Sequence, residues 1–171
     1  MKSIKIAGGN DNFKNYLINL LELADLHYDV YANKNNTEIT KYIVLNSVDE
    51  KQDVSNGHYC FINMDLIKNV SNNLNIEDYI ITYGLGNKNT VTISSLDYNS
   101  GFVYCLQRDI VQNGHSIIES QEIPVDMVLR DIDELYAAMI VITLGLMDDK
   151  YTKKMLPGNR EFKIFSRILN N

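Results

Sequence analysis

Lys2-Ser3-Ile4-Lys5-Ile6-Ala7-Gly8-Gly9-Asn10-Asp11-Asn12-Phe13 decides the fold. Polar and apolar residues alternate up to Ala7, two glycines break the alternation, and Phe13, Tyr16, Leu17, Leu20, Leu21 and Ala24 follow at helical spacing. The pattern predicts strand, turn and helix. A glycine turn between a first strand and a helix is where nucleotide-binding folds place phosphate, because free amides and the positive helix end face the anion. Gly8, Gly9 and Asn10 are therefore the candidate cofactor-binding residues. A working phosphate loop also needs a lysine for the terminal phosphates and a hydroxyl residue for magnesium. Those places hold Asn12 and Phe13, and Asp11 stands where the last glycine belongs, adding a like charge and a side chain. Lys14 lies one to two residues on, and about 100° of helix rotation per residue turns it away from the loop mouth. The three-glycine dinucleotide fingerprint fails too, since the next glycine after Gly9 is Gly57. The loop reads as vestigial, an Asn10 or Asp11 N-cap accounts for the turn, and no cofactor is expected.

Working outward, Tyr28 to Tyr31, Tyr42-Ile43-Val44-Leu45 and Tyr59-Cys60-Phe61-Ile62 are short strand candidates, the last two ending at Asn46 and Asn63. Continuous apolar runs of this kind suit a parallel sheet covered on both faces. From Tyr79 to Val125 the chain is rich in β-branched and aromatic residues, and Asn113-Gly114 is a tight-hairpin signal, so an antiparallel meander is expected there. Asp131 to Leu146 carries Ile132, Leu135, Tyr136, Met139, Ile140, Ile142 and Thr143 as a second helix, with Ala137 and Ala138 for close packing and Gly145 near its end. The expected fold class is α/β, a mostly parallel phosphate-loop-like sheet with helices plus an antiparallel meander, in one domain over residues 1–171.

Of 171 residues, 16 are Lys or Arg and 22 are Asp or Glu, a net charge of −6. No broad cationic face offsets phosphate repulsion, so nucleic acid is not expected as a partner. No run approaches the ~20 apolar residues that span a bilayer, and the start lacks the apolar block of a signal peptide, so no membrane association and a cytoplasmic location are expected. Cys60 and Cys105 are expected as reduced thiols. His27, His58 and His115 are scattered; His58-Tyr59-Cys60 has no second pair to complete a metal site, and nothing places a histidine beside Cys105 to activate it. Gln107, Arg108 and Asp109, with Tyr83-Gly84, are a further candidate lining for a small polar ligand. Abundant asparagine and the absence of tryptophan are a bias usual in AT-rich bacterial genomes.

Four segments together resemble the central, ATP-binding domain of the Mur ligases, which add amino acids to the cell-wall precursor, and of the related folylpolyglutamate synthetases. Ile6 to Phe13 matches that family's Ile-Thr-Gly-Thr-Asn-Gly-Lys-Thr at the isoleucine, first glycine and asparagine, and loses the later glycine, lysine and threonine. Ile80-Ile81-Thr82-Tyr83-Gly84 is similar to the Ile-Thr-Tyr-Gly that precedes a meander. Leu135-Tyr136-Ala137-Ala138 through Leu144-Gly145-Leu146 resembles the Ala-Ala helix ending in Leu-Gly-Ile, with Asp133 about where the family has asparagine. Leu156-Pro157-Gly158-Asn159-Arg160-Glu161 resembles Pro-Gly-Arg-x-Glu with Asn159 inserted.

The resemblance implies the family's frame without its chemistry. Between Leu26 and Tyr79 there is no counterpart of the magnesium glutamate, the Asp-His pair or the catalytic lysine; Asn46-Ser47-Val48-Asp49-Glu50 is partly similar to the piece before that pair, but no histidine follows. Domains for the uridine nucleotide and the incoming amino acid are not expected on either side. Amide formation needs phosphates, metal and amine aligned together, so no catalytic residue carries over and an enzyme is not favoured. The expected function is a non-catalytic binding or regulatory module, linked through the resemblance to cell-wall or sporulation processes. The expected partner is another protein or a second copy, with Tyr151, Met155, Phe162, Ile164, Phe165 and Ile168 making an apolar tail. Two alternatives stay open: an ATP-dependent amide ligase component completed by a partner chain, and a dinucleotide or small-molecule binding protein.

Overall fold

Ile4 and Ile6 turn one way into the core from β1 (Ser3–Ala7), with Ser3 and Lys5 half-buried on the other side. This strand is the hinge of the topology in the computed structural model, which describes residues 2–32, 40–46, 57–67, 79–112 and 116–148. The glycine turn leads into α1 (Asp11–Leu23), whose buried Phe13, Leu17, Leu20 and Leu21 form one stripe. The chain returns as β2 (Asp29–Ala32), parallel to β1. β3 (Thr40–Leu45) pairs with the opposite side of β1, and β4 (Gly57–Asn63) and β5 (Tyr79–Tyr83) add in the same direction. β6 (Val91–Asp97) touches β5 in parallel at Tyr83 and Val91, then turns the sheet antiparallel with β7 (Gly101–Leu106) and β10 (Gln121–Val125). The order across the eight strands is β10-β7-β6-β5-β4-β3-β1-β2, while β8 (Ile110–Gln112) and β9 (Ser116–Ile118) form their own antiparallel pair.

α1 ends in two backbone bonds that wrap its last carbonyls: Asp25 N–H donates to Glu22 O at 3.0 Å and Leu26 N–H to Leu21 O at 2.9 Å. Asp25 takes the left-handed conformation this stop requires, with φ 55°. α2 (Ile132–Leu146) starts with a reciprocal cap, the Asp131 carboxylate accepting Glu134 N–H at 2.9 Å and the Glu134 carboxylate accepting Arg130 N–H at 2.6 Å. Every α2 residue from Glu134 to Leu146 is buried, as expected of a helix apolar on all sides. It packs beside α1, over the sheet face carrying Ile4, Ile6, Val44, Phe61, Ile81 and Tyr83. The other face holds a smaller cluster of Ala7, Ile43, Leu45, Cys60, Ile62 and Ile67. Burial of both faces explains why β3 and β4 lack polar alternation.

At the amino ends of the parallel strands, Tyr42, Tyr59 and Tyr79 occupy one row of the register. Their rings stack at centroid separations of 5.7 Å, and Tyr28 meets Tyr42 edge-on at 5.7 Å.

The α/β class, with its mostly parallel sheet, helices and antiparallel portion, is as the sequence indicates. Two details differ. Tyr79–Tyr83 belongs to the parallel block: β-branched residues suit either pairing, and the connection from Asn63 to Tyr79 is long enough for a crossover. The meander is not continuous, because β8 and β9 pair with each other and β10 returns to β7. Pro124 sits within β10 opposite Val103, tolerated there because β10 is the outermost strand of the sheet among the described residues and needs no outward amide there. Gly145 falls near the end of α2, as the sequence indicates, and Met147 caps the helix. The Asn113-Gly114 turn, His115, Ser47 to Glu50, and the segment from Tyr151 through Leu156–Glu161 to the apolar tail lie outside the described residues.

Candidate functional site

In parallel α/β sheets, ligands sit at the carboxyl ends of the strands where the order reverses, here between β1 and β3. Gly8 and Gly9 have φ of 72° and 100°, which lets the chain double back after β1. A side chain at Gly9 would press on Asn46 and Phe13, each 3.3 Å from an added Cβ, so the turn is closed down on the end of β3. Asn10 is the N-cap of α1: its Oδ1 accepts Phe13 N–H at 2.8 Å, and its Nδ2 donates to Asp133 Oδ2 at 2.7 Å. The mouth of the would-be phosphate loop therefore holds the protein's own amide and a carboxylate from α2. Asp11 is exposed in the first turn with Lys14 3.4 Å away. Phe13, standing where the resemblance would put a hydroxyl for magnesium, is fully buried in the core.

Beyond the loop, the strand ends are tied to one another. Asn46, after β3, accepts at Oδ1 from Asn63 Nδ2 and from the Tyr83 hydroxyl, each at 2.9 Å. All three side chains are buried, and burial holds the Tyr83 phenol well above its ordinary pKa. Asn63 Oδ1 accepts the backbone N–H groups of Asp65 and Leu66, fixing the turn after β4. Asp65 then joins three elements, accepting Leu85 N–H at 2.6 Å and the Tyr136 hydroxyl at 2.9 Å. Gly84 is required beside it, because an added Cβ would lie 2.8 Å from the Asp65 carboxylate. The Tyr136 phenol is pushed up by burial first, then by its bond to Asp65 and the charges of Asp65 and Asp133. It stays protonated and donating at physiological pH.

The structure thus brings Gly8, Gly9, Asn10 and Tyr83-Gly84 to one edge, together with Asn46, Asn63, Asp65, Asp133 and Tyr136. Gln107 and Asp109 lie in the antiparallel portion: the Gln107 backbone N–H donates to Thr90 O at 2.9 Å, and the Asp109 carboxylate accepts Ser120 N–H at 2.8 Å. Cys60 is buried and Cys105 half-buried, and neither is in a disulfide. Among the described residues no three His, Cys, Asp or Glu side chains are grouped to hold a metal ion. None of the helices described is long and apolar enough to cross a membrane.

Fold and site define an α/β protein whose carboxyl edge is closed by its own hydrogen bonds. No protein-family model matches the chain, and no curated protein sequence matches it.

Proposed function

We propose that this chain is a non-catalytic binding or regulatory module, built on the frame of a Mur-ligase-like central domain and serving cell-wall or sporulation processes through a protein partner. The observation that carries the non-catalytic part is the Asn10 side chain, which caps α1 and holds Asp133 at 2.7 Å. A phosphate at that place would lose the helix-end amide to Asn10 and face a carboxylate. Two unit charges at about 4 Å repel by about 1 kcal/mol in water and by more where water is excluded. The cell-wall link rests on the resemblance of the Ile6–Phe13, Ile80–Gly84, Leu135–Leu146 and Leu156–Glu161 segments alone.

The test is thermal unfolding with millimolar magnesium–ATP. A ligand at a hundred times its dissociation constant stabilises a fold by about 2.7 kcal/mol, which is several degrees of Tm for a chain of this size. An unmoved midpoint is expected. A rise of several degrees overturns the proposal and favours a nucleotide-using ligase component.

A further inference from the structure

We infer that β2 pairs antiparallel with β2 of a second copy of this chain, joining the two sheets into one; the inference rests on the partner-mediated reading above and names the partner. β2 is the outermost strand beside β1. Asp29 N–H donates to Lys2 O at 3.0 Å. Since alternate residues of a strand turn their backbone groups to opposite neighbours, Asp29 and Tyr31 face β1, while Val30 and Ala32 face outward. Among the described residues nothing pairs with that outer side. The opposite edge strand, β10, carries Pro124 and the exposed Glu122, which blunt it against further pairing. β2 has no proline, and its register with β1 is unbroken. A row of open donors and acceptors on extended backbone is matched by another extended backbone.

Charge and register select a second copy as the occupant. Two copies in one continuous sheet keep the same face, so their twofold axis passes through a residue rather than between two. With the axis at Val30, the two valines exchange both outward bonds, and Asp29 stands opposite Tyr31 of the second copy on either side. An axis at Asp29 would oppose two carboxylates. Tyr31 lies beside Lys5 of β1, and Ser3, Lys5, Asp29 and Tyr31 share the face opposite Ile4 and Ile6. Asp29 and Lys5 of the second copy are then two strands apart, about 10 Å between Cα atoms, a gap that a lysine laid over the Tyr31 ring closes. Neither group is engaged within the chain: the Asp29 carboxylate is exposed, and Lys5 makes no ion pair among the described residues. The other cations nearby are occupied, Lys2 on Asp148 at 2.8 Å, Lys41 over the Tyr42 ring at 5.4 Å and His27 beside Asp25 at 3.7 Å. The pairing therefore brings two Asp29 to Lys5 contacts and opposes no like charges within β2.

Sedimentation velocity of the full chain from about 10 μM to about 1 mM should show a dimer that grows with concentration. By hydrogen exchange, the Val30 amide should be open at the lowest concentration and protected at the highest. Val30→Pro removes that outward N–H while leaving the bonds to β1, and should abolish the dimer. Asp29→Lys, at an exposed position, should weaken it by about tenfold or more with the Tm of the dilute chain unchanged, and adding Lys5→Asp should restore it to within about threefold. A chain monomeric throughout, a dimer whose Val30 amide stays open, or a folded charge-swapped chain that does not regain association overturns the inference. Magnesium–ATP run on the same samples separates the two failures: a raised Tm with the dimer intact breaks the non-catalytic reading, whereas an unmoved Tm with no dimer breaks this inference alone.

Discussion

Asp25 shows how a single residue records a compromise. The stop after α1 needs a left-handed residue, and at φ 55° a side chain is strained where glycine is not. Asp25 is exposed, with His27 Nε2 3.7 Å from its carboxylate, a pair at the surface that adds little. Asp25→Gly is therefore expected to stabilise the chain by about 0.5–1 kcal/mol in urea unfolding; unchanged or lower stability would show that the strain is relieved elsewhere. Cys105 gives a second residue-level outcome. Burial first, and then Glu122 across the sheet, raise its thiol pKa above the ordinary value. Because the folded value is the higher one, the neutral thiol's contribution is present below the unfolded pKa and fades as pH rises through the folded pKa. Alkylation of Cys105 should be slower at neutral pH than that of a small free thiol, and should accelerate at a higher pH than in the urea-unfolded chain. Equal pH profiles in the two states would contradict the burial argument.

Among elements, α2 and β7 are joined by a directional chain of hydroxyls. Thr143 Oγ1 donates its one proton to Met139 O at 2.7 Å, so the Tyr104 hydroxyl, 2.8 Å away, must be the donor to Thr143. Thr143→Val removes that acceptor while leaving a fully buried phenol behind, and should cost about 1–3 kcal/mol. Tyr104→Phe in the valine background should recover part of the loss, a non-additivity read directly from a double-mutant cycle. Strict additivity would mean that the two hydroxyls do not act together. Both helices were legible in the sequence because their signals are local: apolar spacing in each, and for α1 a capping residue at Asn10. Pairing direction was not. Tyr79–Tyr83 has the residue types of a meander strand and becomes parallel only because its neighbour is β4, a contact that composition does not encode.

For the molecule as a whole, the same division holds at the candidate site. The glycine turn was visible, yet the groups that close it come from β3, β4, β5 and α2, far apart in sequence. A signal did exist: Tyr42 to Asn46 and Tyr59 to Asn63 both begin with tyrosine and end with asparagine at equal spacing. Aligning those runs gives the observed register, with Tyr42 beside Tyr59 at one end and Asn46 bonded to Asn63 at the other. Asp65 and Tyr136 carried no comparable mark, since their pairing depends on how α2 lies across the sheet. The tyrosine end of that register also makes the chain its own optical reporter. With eleven tyrosines and no tryptophan, its near-ultraviolet emission is tyrosine emission alone. Rings 5.7 Å apart along Tyr28, Tyr42, Tyr59 and Tyr79, the first pair edge-on and the others stacked, are close enough for excitation to hop between them before a photon leaves. Native emission should be depolarised under mid-band excitation and regain polarisation at the red edge, where hopping fails. Tyr59→Phe, cutting the row at its middle, should shrink that difference, and an unaltered red-edge response would show that the row does not carry the excitation.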